Sequence, residues 1–307
     1  MSPLPETLHE ALGAFDLGAP VLSALPHGQG HVNDTFLVTT GAGGEFILQR
    51  ISAVAFHHPD QVMENMLAIT EHLRRKTARS GHEDRETLTV VPTRTGASFY
   101  TDSRGGAWRV THFIRDSRCY LSAQDPRQLY AAGEAFGRFQ GLLADFPAYT
   151  LHETIPRFHD TENRLERLKA AALADPLGRK ADCMEELDFA LSREADCSVA
   201  LDALRGGILP LHATHNDAKL SNILFDARSH RPLCVVDLDT VMPGLSIYDF
   251  GDLVRSGAHR SREDEQDLSR VNLEPELFRP WPPDSSGEQM GLSPAGSWTF
   301  CPGAAGS

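Results

Sequence analysis

Residues 215–226 read "HNDAKLSNILFD". A His, an Asp and an Asn, at 215, 217 and 222, stand just before an apolar run. The acidic stretch "VVDLD" follows at 235–239, so Asp237 comes 20 residues after Asp217. Between them, the runs "NILFD" (222–226) and "LCVVDLD" (233–239) flank the turn-like "ARSHRP". Two short β-like runs around a polar, Pro-containing turn predict a small hairpin. A hairpin returns its far end to its start. It therefore carries Asp237 back beside Asn222 and puts chemistry at both ends.

Outward from the hairpin, residues 21–51 predict a β-meander, with "TFLVTT" and "EFILQRI" separated by the glycine turn "GAGG". Val62, Met66, Ile69 and Leu73 fall at helical spacing and predict a helix over 60–79. "TLTVVPT", "ASFYTD" and "AWRVTHFI" return to strand character, ending at Ile114. Beyond it the chain turns helical. "DPRQLYAAGEAFGRFQGLLADF" opens with Asp125 as N-cap and Pro126 in the first turn. "TENRLERLKAAALAD" and residues 180–207 are helical too, the latter closing on Gly206 and Gly207. "SIYDFGDLVRSGA" starts another helix. The expected fold is α+β and bilobal: a β-rich N-lobe over 1–114 and a larger helical C-lobe over 115–278. Residues 279–307 hold five Pro, five Gly and five Ser among 29, a composition that predicts disorder.

The chain has 307 residues, 41% hydrophobic and 23% charged, the balance of a globular protein with a core. A net charge of −13 with no basic block argues against nucleic acid and anionic membrane as partners. No apolar stretch approaches a membrane span, and "MSPLPETLHE" lacks the pattern of a secretory leader. Five scattered cysteines without a C-x-x-C pair fit reduced thiols and a cytoplasmic location.

The hairpin residues have the parts that phosphoryl transfer requires. Moving a phosphoryl group from ATP to an alcohol takes a carboxylate near the attacking hydroxyl, a cation bridging the phosphates, and ligands for that cation. Asp217 stands where the base belongs. Asn222 and Asp237 stand where oxygen ligands for Mg²⁺ belong. His215 is read as a loop-orienting residue. On the nucleotide side, Gly28-Gln29-Gly30 is a candidate phosphate loop. A basic residue is sought in "FILQRI", where Arg50 is the candidate; Gln49 and Arg50 point to opposite faces, so only one of them reaches the phosphates. Its acidic partner is sought at Glu64 or Glu71. Thr111 to Ile114, including Phe113, are the candidate hinge for adenine.

The order of these motifs resembles the aminoglycoside phosphotransferase/choline kinase superfamily. "THNDAKLSNILFD", "VVDLDTVMPGLSIYDFGD" and "GQGHVNDTFLV" resemble the N-acetylhexosamine 1-kinase group more closely still, over residues 20–278. The resemblance implies a protein-kinase-like fold, ATP and Mg²⁺ as cofactors, and an amino sugar phosphorylated on its anomeric hydroxyl. It implies Asp217 as base, Asn222 and Asp237 as Mg²⁺ ligands, Thr240 as a sugar contact, and Asp239 in support of the metal or the sugar. It casts Asp249, in "YDFGD", as a loop-bracing acid. Relatives continue past "EPELF" with further helices that shape the sugar pocket. This chain turns instead into the Pro/Gly/Ser tail, which reads as a truncated or altered C-terminus. Two other functions stay open: another small-molecule kinase, acting on choline, homoserine or an aminoglycoside, and nucleotide binding without catalysis. The oligomeric state is open as well.

Overall fold

The computed structural model describes residues 6–28, 32–78, 83–261, 265–278, 288–292 and 298–302. A helix, α1 (Glu6–Ala14), precedes the meander. Its Leu8, Ala11 and Leu12 recur at i, i+3 and i+4 and are buried. Strands β1 (Val21–Pro26), β2 (Asp34–Thr40) and β3 (Glu45–Ile51) pair in antiparallel succession. Helices α2 (Pro59–Thr77) and α3 (Glu83–Glu86) lead to β4 (Val90–Val91), β5 (Tyr100–Thr101) and β6 (Ala107–His112). The six strands form one sheet in the order β1-β2-β3-β6-β4, with β5 against β6.

Register decides which side chains share a face of this sheet. Thr35 lies opposite Gln49, and Gln49 opposite Arg109. One residue along, Asp34 lies opposite Arg50, and Arg50 opposite Trp108. Successive residues alternate faces, so these are two separate rows. Phe46, Leu48, Trp108 and Val110 pack with the apolar face of α1. Ile51 and Ala107 pack on the other side with Val62, Met63, Met66, Ile69 and Leu73 of α2. That second core continues into Leu238 and Val241, downstream of the acidic stretch.

After β6 the chain forms β7 (Ser117–Arg118) and the long α4 (Pro126–Leu142). Asp125 caps α4 by accepting the Arg127 N–H at 2.8 Å, with Pro126 in the first turn. Helices α5 (Thr161–Ala174), α6 (Met184–Ser192) and α7 (Val199–Arg205) follow. The stretch 180–207 is thus helical but broken by 3₁₀ turns into two short helices, and Gly207 at its end takes φ +70°. Strands β8 (His212–Thr214), β9 (Ile223–Asp226), β10 (Pro232–Val235) and β11 (Met242–Gly244) come next, then α8 (Ser246–Gly257) and α9 (Pro275–Phe278). β9 and β10 pair as the expected hairpin, with β7 on its edge, and β11 pairs with β8. Leu220, Ile223 and Phe225 bury against Leu129, Ala132 and Phe136 of α4 and Leu253 of α8. Each such side chain contributes about 1.5–3 kcal/mol, so the hairpin is fixed on the helical layer from below.

In the tail, β12 (Glu288–Leu292) and β13 (Trp298–Pro302) pair as an antiparallel ribbon. In its register Met290 stands opposite Phe300 and Leu292 opposite Trp298. The rest of 279–307, where composition predicts disorder, lies outside the described residues. No helix among the described residues is long and apolar enough to cross a membrane. Cys119, Cys183, Cys197 and Cys234 are free thiols.

Candidate active site

The loop between β8 and β9 carries the candidate base and one candidate metal ligand. Asn216, in its centre, takes φ +64°, a left-handed conformation that Asn tolerates better than most residues. This kink turns the chain so that Asp217 and Asn222 meet. The Asn222 Nδ2 donates to both the carbonyl and the Oδ2 of Asp217, each at 2.9 Å. Lys219 Nζ lies 3.3 Å from the same Oδ2. The Asp217 Oδ1 accepts no hydrogen bond within the described residues, and Asn222, with its amide nitrogen turned to Asp217, keeps its amide oxygen for another partner.

The loop is braced from behind by main-chain contacts. Asp249, at the start of α8 and buried, accepts the His215 N–H at 3.1 Å, the Asn216 N–H at 2.8 Å and Gln140 Nε2 at 2.9 Å. Burial raises its carboxyl above the ordinary value, and those donors with His215 oppose the rise. His215 is fully buried between the rings of Phe136 and Phe139. Its Nε2 lies 2.9 Å from the Val236 carbonyl and its Nδ1 receives the Asp217 N–H at 3.3 Å. Asn216 Nδ2 donates to the carbonyls of Thr214, Thr240 and Met242. Gly244 makes this crossing fit, because a Cβ there would lie 2.6 Å from Asn216 Oδ1.

The hairpin returns Asp237 to this loop. Asp237 takes φ +60°, ψ +58° and opens a 3₁₀ turn over Leu238–Thr240. Burial pushes its carboxyl up to about 6, with further rises from the charges of Asp239 and Asp217; Arg109 and His215 pull the other way. Burial is the largest cause of that rise, and the two neighbouring acidic groups add to it. Among the described residues no group of three or more His, Cys, Asp or Glu is placed to hold a metal. The donor set is instead an amide oxygen and one carboxylate, within an excess of negative charge. That set suits Mg²⁺, which keeps several waters and takes the rest of its ligands from phosphates.

Asp239 does not face open space. It is 2% exposed and makes a short ion pair with Arg109 Nη1, and its Oδ2 receives Asn33 Nδ2 at 2.8 Å. Thr154 Oγ1 donates to its carbonyl at 2.8 Å. Thr240, expected to touch sugar, donates its hydroxyl to the His215 carbonyl at 2.8 Å and is 8% exposed.

On the nucleotide side, Gln49 and Arg50 stand on opposite faces of β3. Arg50 stands on the α1 face of the sheet, 3.9 Å from Asp34 and 6.0 Å from the Trp108 ring centroid. Alternation gives the α2 face to Gln49, whose Oε1 receives Arg109 Nε and Nη2 at 3.0 and 2.9 Å. Glu64 pairs with His152 and Glu71 with Arg75, both on exposed surface, so neither reaches the sheet. Gly28 takes φ +80°, whereas Gly30 lies outside the described residues. Phe113 is half-buried, edge-on to His27, and its N–H bonds the Glu45 carbonyl. Ile114 is buried and its carbonyl accepts Ser117 Oγ at 2.6 Å.

Sequence reasoning missed Asn216, Lys219, Arg109 and a row of rings beside the loop. His159 Nε2 lies 2.8 Å from the Asn216 carbonyl, and its ring packs on Phe158 and Tyr248 at 4.6 and 4.8 Å. The polar triplet "HND" and the nearby "RFHD" were the available signals. A separate cavity of about 490 Å³, lined by Leu73, Glu86, Glu134, Arg138 and Val235 among others, lies behind the hairpin and away from this chemistry.

Solved structures share this architecture. An amicoumacin kinase, solved with AMP-PNP, Ca²⁺ and amicoumacin, superposes with a TM-score of 0.54 at 16% identity, over 88% of this chain and 73% of that one. A microcompartment-associated aminopropanol kinase gives 0.52 at 20% identity, over 88% and 84%. An aminoglycoside 2'-phosphotransferase-IIIa, solved with GDP, gives 0.52 at 12% identity, over 83% and 80%. The fold is therefore kinase-like: an antiparallel sheet region followed by a helical one. Residues 23–276, most of the chain, match the phosphotransferase enzyme family, and the chain belongs to that family.

Proposed function

We propose that this chain transfers the γ-phosphoryl group of ATP to a hydroxyl of a small molecule, and that the acceptor is the anomeric hydroxyl of an N-acetylhexosamine. The observation that carries the reading is the join between Asp217 and Asn222 on one braced loop, with Asp237 returned beside them. Asp217 keeps Oδ1 for the acceptor hydroxyl, while Oδ2 is held by Asn222 and Lys219. The acceptor proton passes to Oδ1 as its oxygen attacks, and the fixed Oδ2 keeps the carboxylate aimed. Mg²⁺, held by Asn222 Oδ1 and Asp237, would neutralise charge on the phosphates. Lys219 adds a positive charge on the same loop.

The acceptor side supports a sugar. Phe158, His159 and Tyr248 pack ring against ring at 4.6 and 4.8 Å, leaving no space between them for a cation. A quaternary amine is recognised by rings that surround it, so this stack does not suit choline. A pyranose needs no such cage, so the sugar reading is favoured over choline on this ground.

The test is ³¹P NMR of the purified chain with Mg·ATP and a panel of N-acetylglucosamine, N-acetylgalactosamine, choline, homoserine and an aminoglycoside. A sugar 1-phosphate signal that disappears in Asp217→Asn is expected. A phosphorylated product with another acceptor would replace the sugar assignment. Intact ATP with every acceptor, despite measurable nucleotide binding, would favour nucleotide binding without catalysis.

A further inference from the structure

We infer that Arg109 is the cation that meets the nucleotide's phosphates in this chain, the place the sequence assigned to Arg50; the inference rests on the phosphotransfer reading above. Strand parity puts Gln49 and Arg109 together on the α2 face, and Arg50 with Trp108 on the other. Other arginines of this region are engaged elsewhere. Arg74 binds the Leu88 carbonyl and Thr89, and Arg115 pairs with Glu45. Arg109 alone among these four is bonded to the acidic turn after the hairpin, two residues from Asp237.

The guanidinium is held for a planar task. It has five N–H groups. Nε and Nη2 both point at Gln49 Oε1, and Nη1 is shared between Asp239 Oδ1 and Met66 Sδ. One N–H on Nη2 remains. Gln49 contributes no charge; it fixes the plane of the fork, and Thr35 Oγ1 fixes Gln49 in turn by accepting its Nε2 at 3.1 Å. A fixed, planar, permanently charged fork is the group that recognises phosphate in two-point fashion.

Stability is a weak reason for this pair to exist. Both side chains are 2% exposed, and a buried ion pair seldom outperforms apolar residues of the same volume. The surroundings allow an exchange of partners instead. Asp239 Oδ2 keeps its bond from Asn33 when Oδ1 loses Arg109, and Asn33 is itself tied to the Ser52 N–H at 2.9 Å. A phosphate oxygen can then take the Nη1–H and the remaining Nη2–H without leaving Asp239 unbonded.

The test is calorimetric titration of Mg·ATP into folded wild type, Arg109→Gln/Asp239→Asn, Asp239→Asn and Arg50→Gln. Arg109→Gln alone strands the Asp239 carboxylate, so the double variant removes both charges together. Its affinity is expected to fall about 10- to 100-fold, the size of a lost charge-assisted contact. Asp239→Asn removes the competitor for the guanidinium and binds as tightly as wild type or tighter. Arg50→Gln stays within about twofold, as for an exposed surface pair. Wild-type affinity in the double variant would show that Arg109 serves only to pair Asp239, and would overturn the inference. A tenfold loss in Arg50→Gln would return the role to Arg50. Wild type that binds no Mg·ATP would overturn the nucleotide reading itself, and this assignment with it.

Discussion

The loop at 215–222 and the strand face at Gln49 and Arg109 both bond the acidic turn after the hairpin, but they are held by different means. The loop is gripped by its own main chain: Asp249 takes two of its amides, and Asn216 reaches three carbonyls. Arg109 is held by side chains alone, including one 130 positions away in sequence. Main-chain grips leave a group one geometry. Side-chain grips can be traded for a ligand. The difference fits a base that must stay fixed and a phosphate partner that must change hands.

The largest expected effect lies on the fixed side. Asp217→Asn keeps the loop's shape and removes the base, so kcat should fall on the order of 10² to 10⁴ while Mg·ATP affinity stays within about threefold. Equal losses in both, measured by phosphate-transfer kinetics and calorimetry, would mean that the loop does not separate base from nucleotide. Asp249→Ala comes next. It orphans two buried amides and Gln140, and urea unfolding should show a loss of roughly 2–4 kcal/mol. A loss below 1 kcal/mol would sink the idea that this carboxylate braces the loop. Gly244→Ala should cost about 1–3 kcal/mol by the same assay, because the new methyl meets Asn216 at 2.6 Å.

A smaller effect follows from the titration of Asp237. Its carboxyl is raised to about 6 by burial and by Asp239 and Asp217. A raised acid binds its proton in the fold more tightly than in the unfolded chain, so this group's contribution to stability is lost as pH climbs from about 4 to 6. Cation binding runs the opposite way, because it needs the carboxylate. Stabilisation by Mg·ATP in thermal melts should therefore weaken below about pH 6. In Asp239→Asn the limb should move to lower pH, and a limb that stays in place would exclude Asp239 as a cause.

The two sides were also unequally legible. His215, Asp217 and Asn222 lie within eight residues, and the hairpin that returns Asp237 is a local event written in its turn. Alternation likewise separated Gln49 from Arg50. It did not say which face of β3 meets α2, because Phe46 and Leu48 on one face and Ile47 and Ile51 on the other are both apolar. The pairing with β6 spans 60 positions, so Arg109 had no local signature. By position in a motif Asp239 was read in support of the metal or the sugar and Thr240 as a sugar contact; in the 3₁₀ turn after Asp237 both make buried bonds, to Arg109 and to the His215 carbonyl, that no local pattern announced.

The left-handed backbone at Asp237 bears on how this position tolerates change. At φ +60°, ψ +58°, side chains other than those of Gly, Asn and Asp are disfavoured by the main chain itself. Of those three, only Asp offers a negative oxygen. Two independent filters therefore act on one codon, and a randomised library should return aspartate alone even though glutamate carries the same charge.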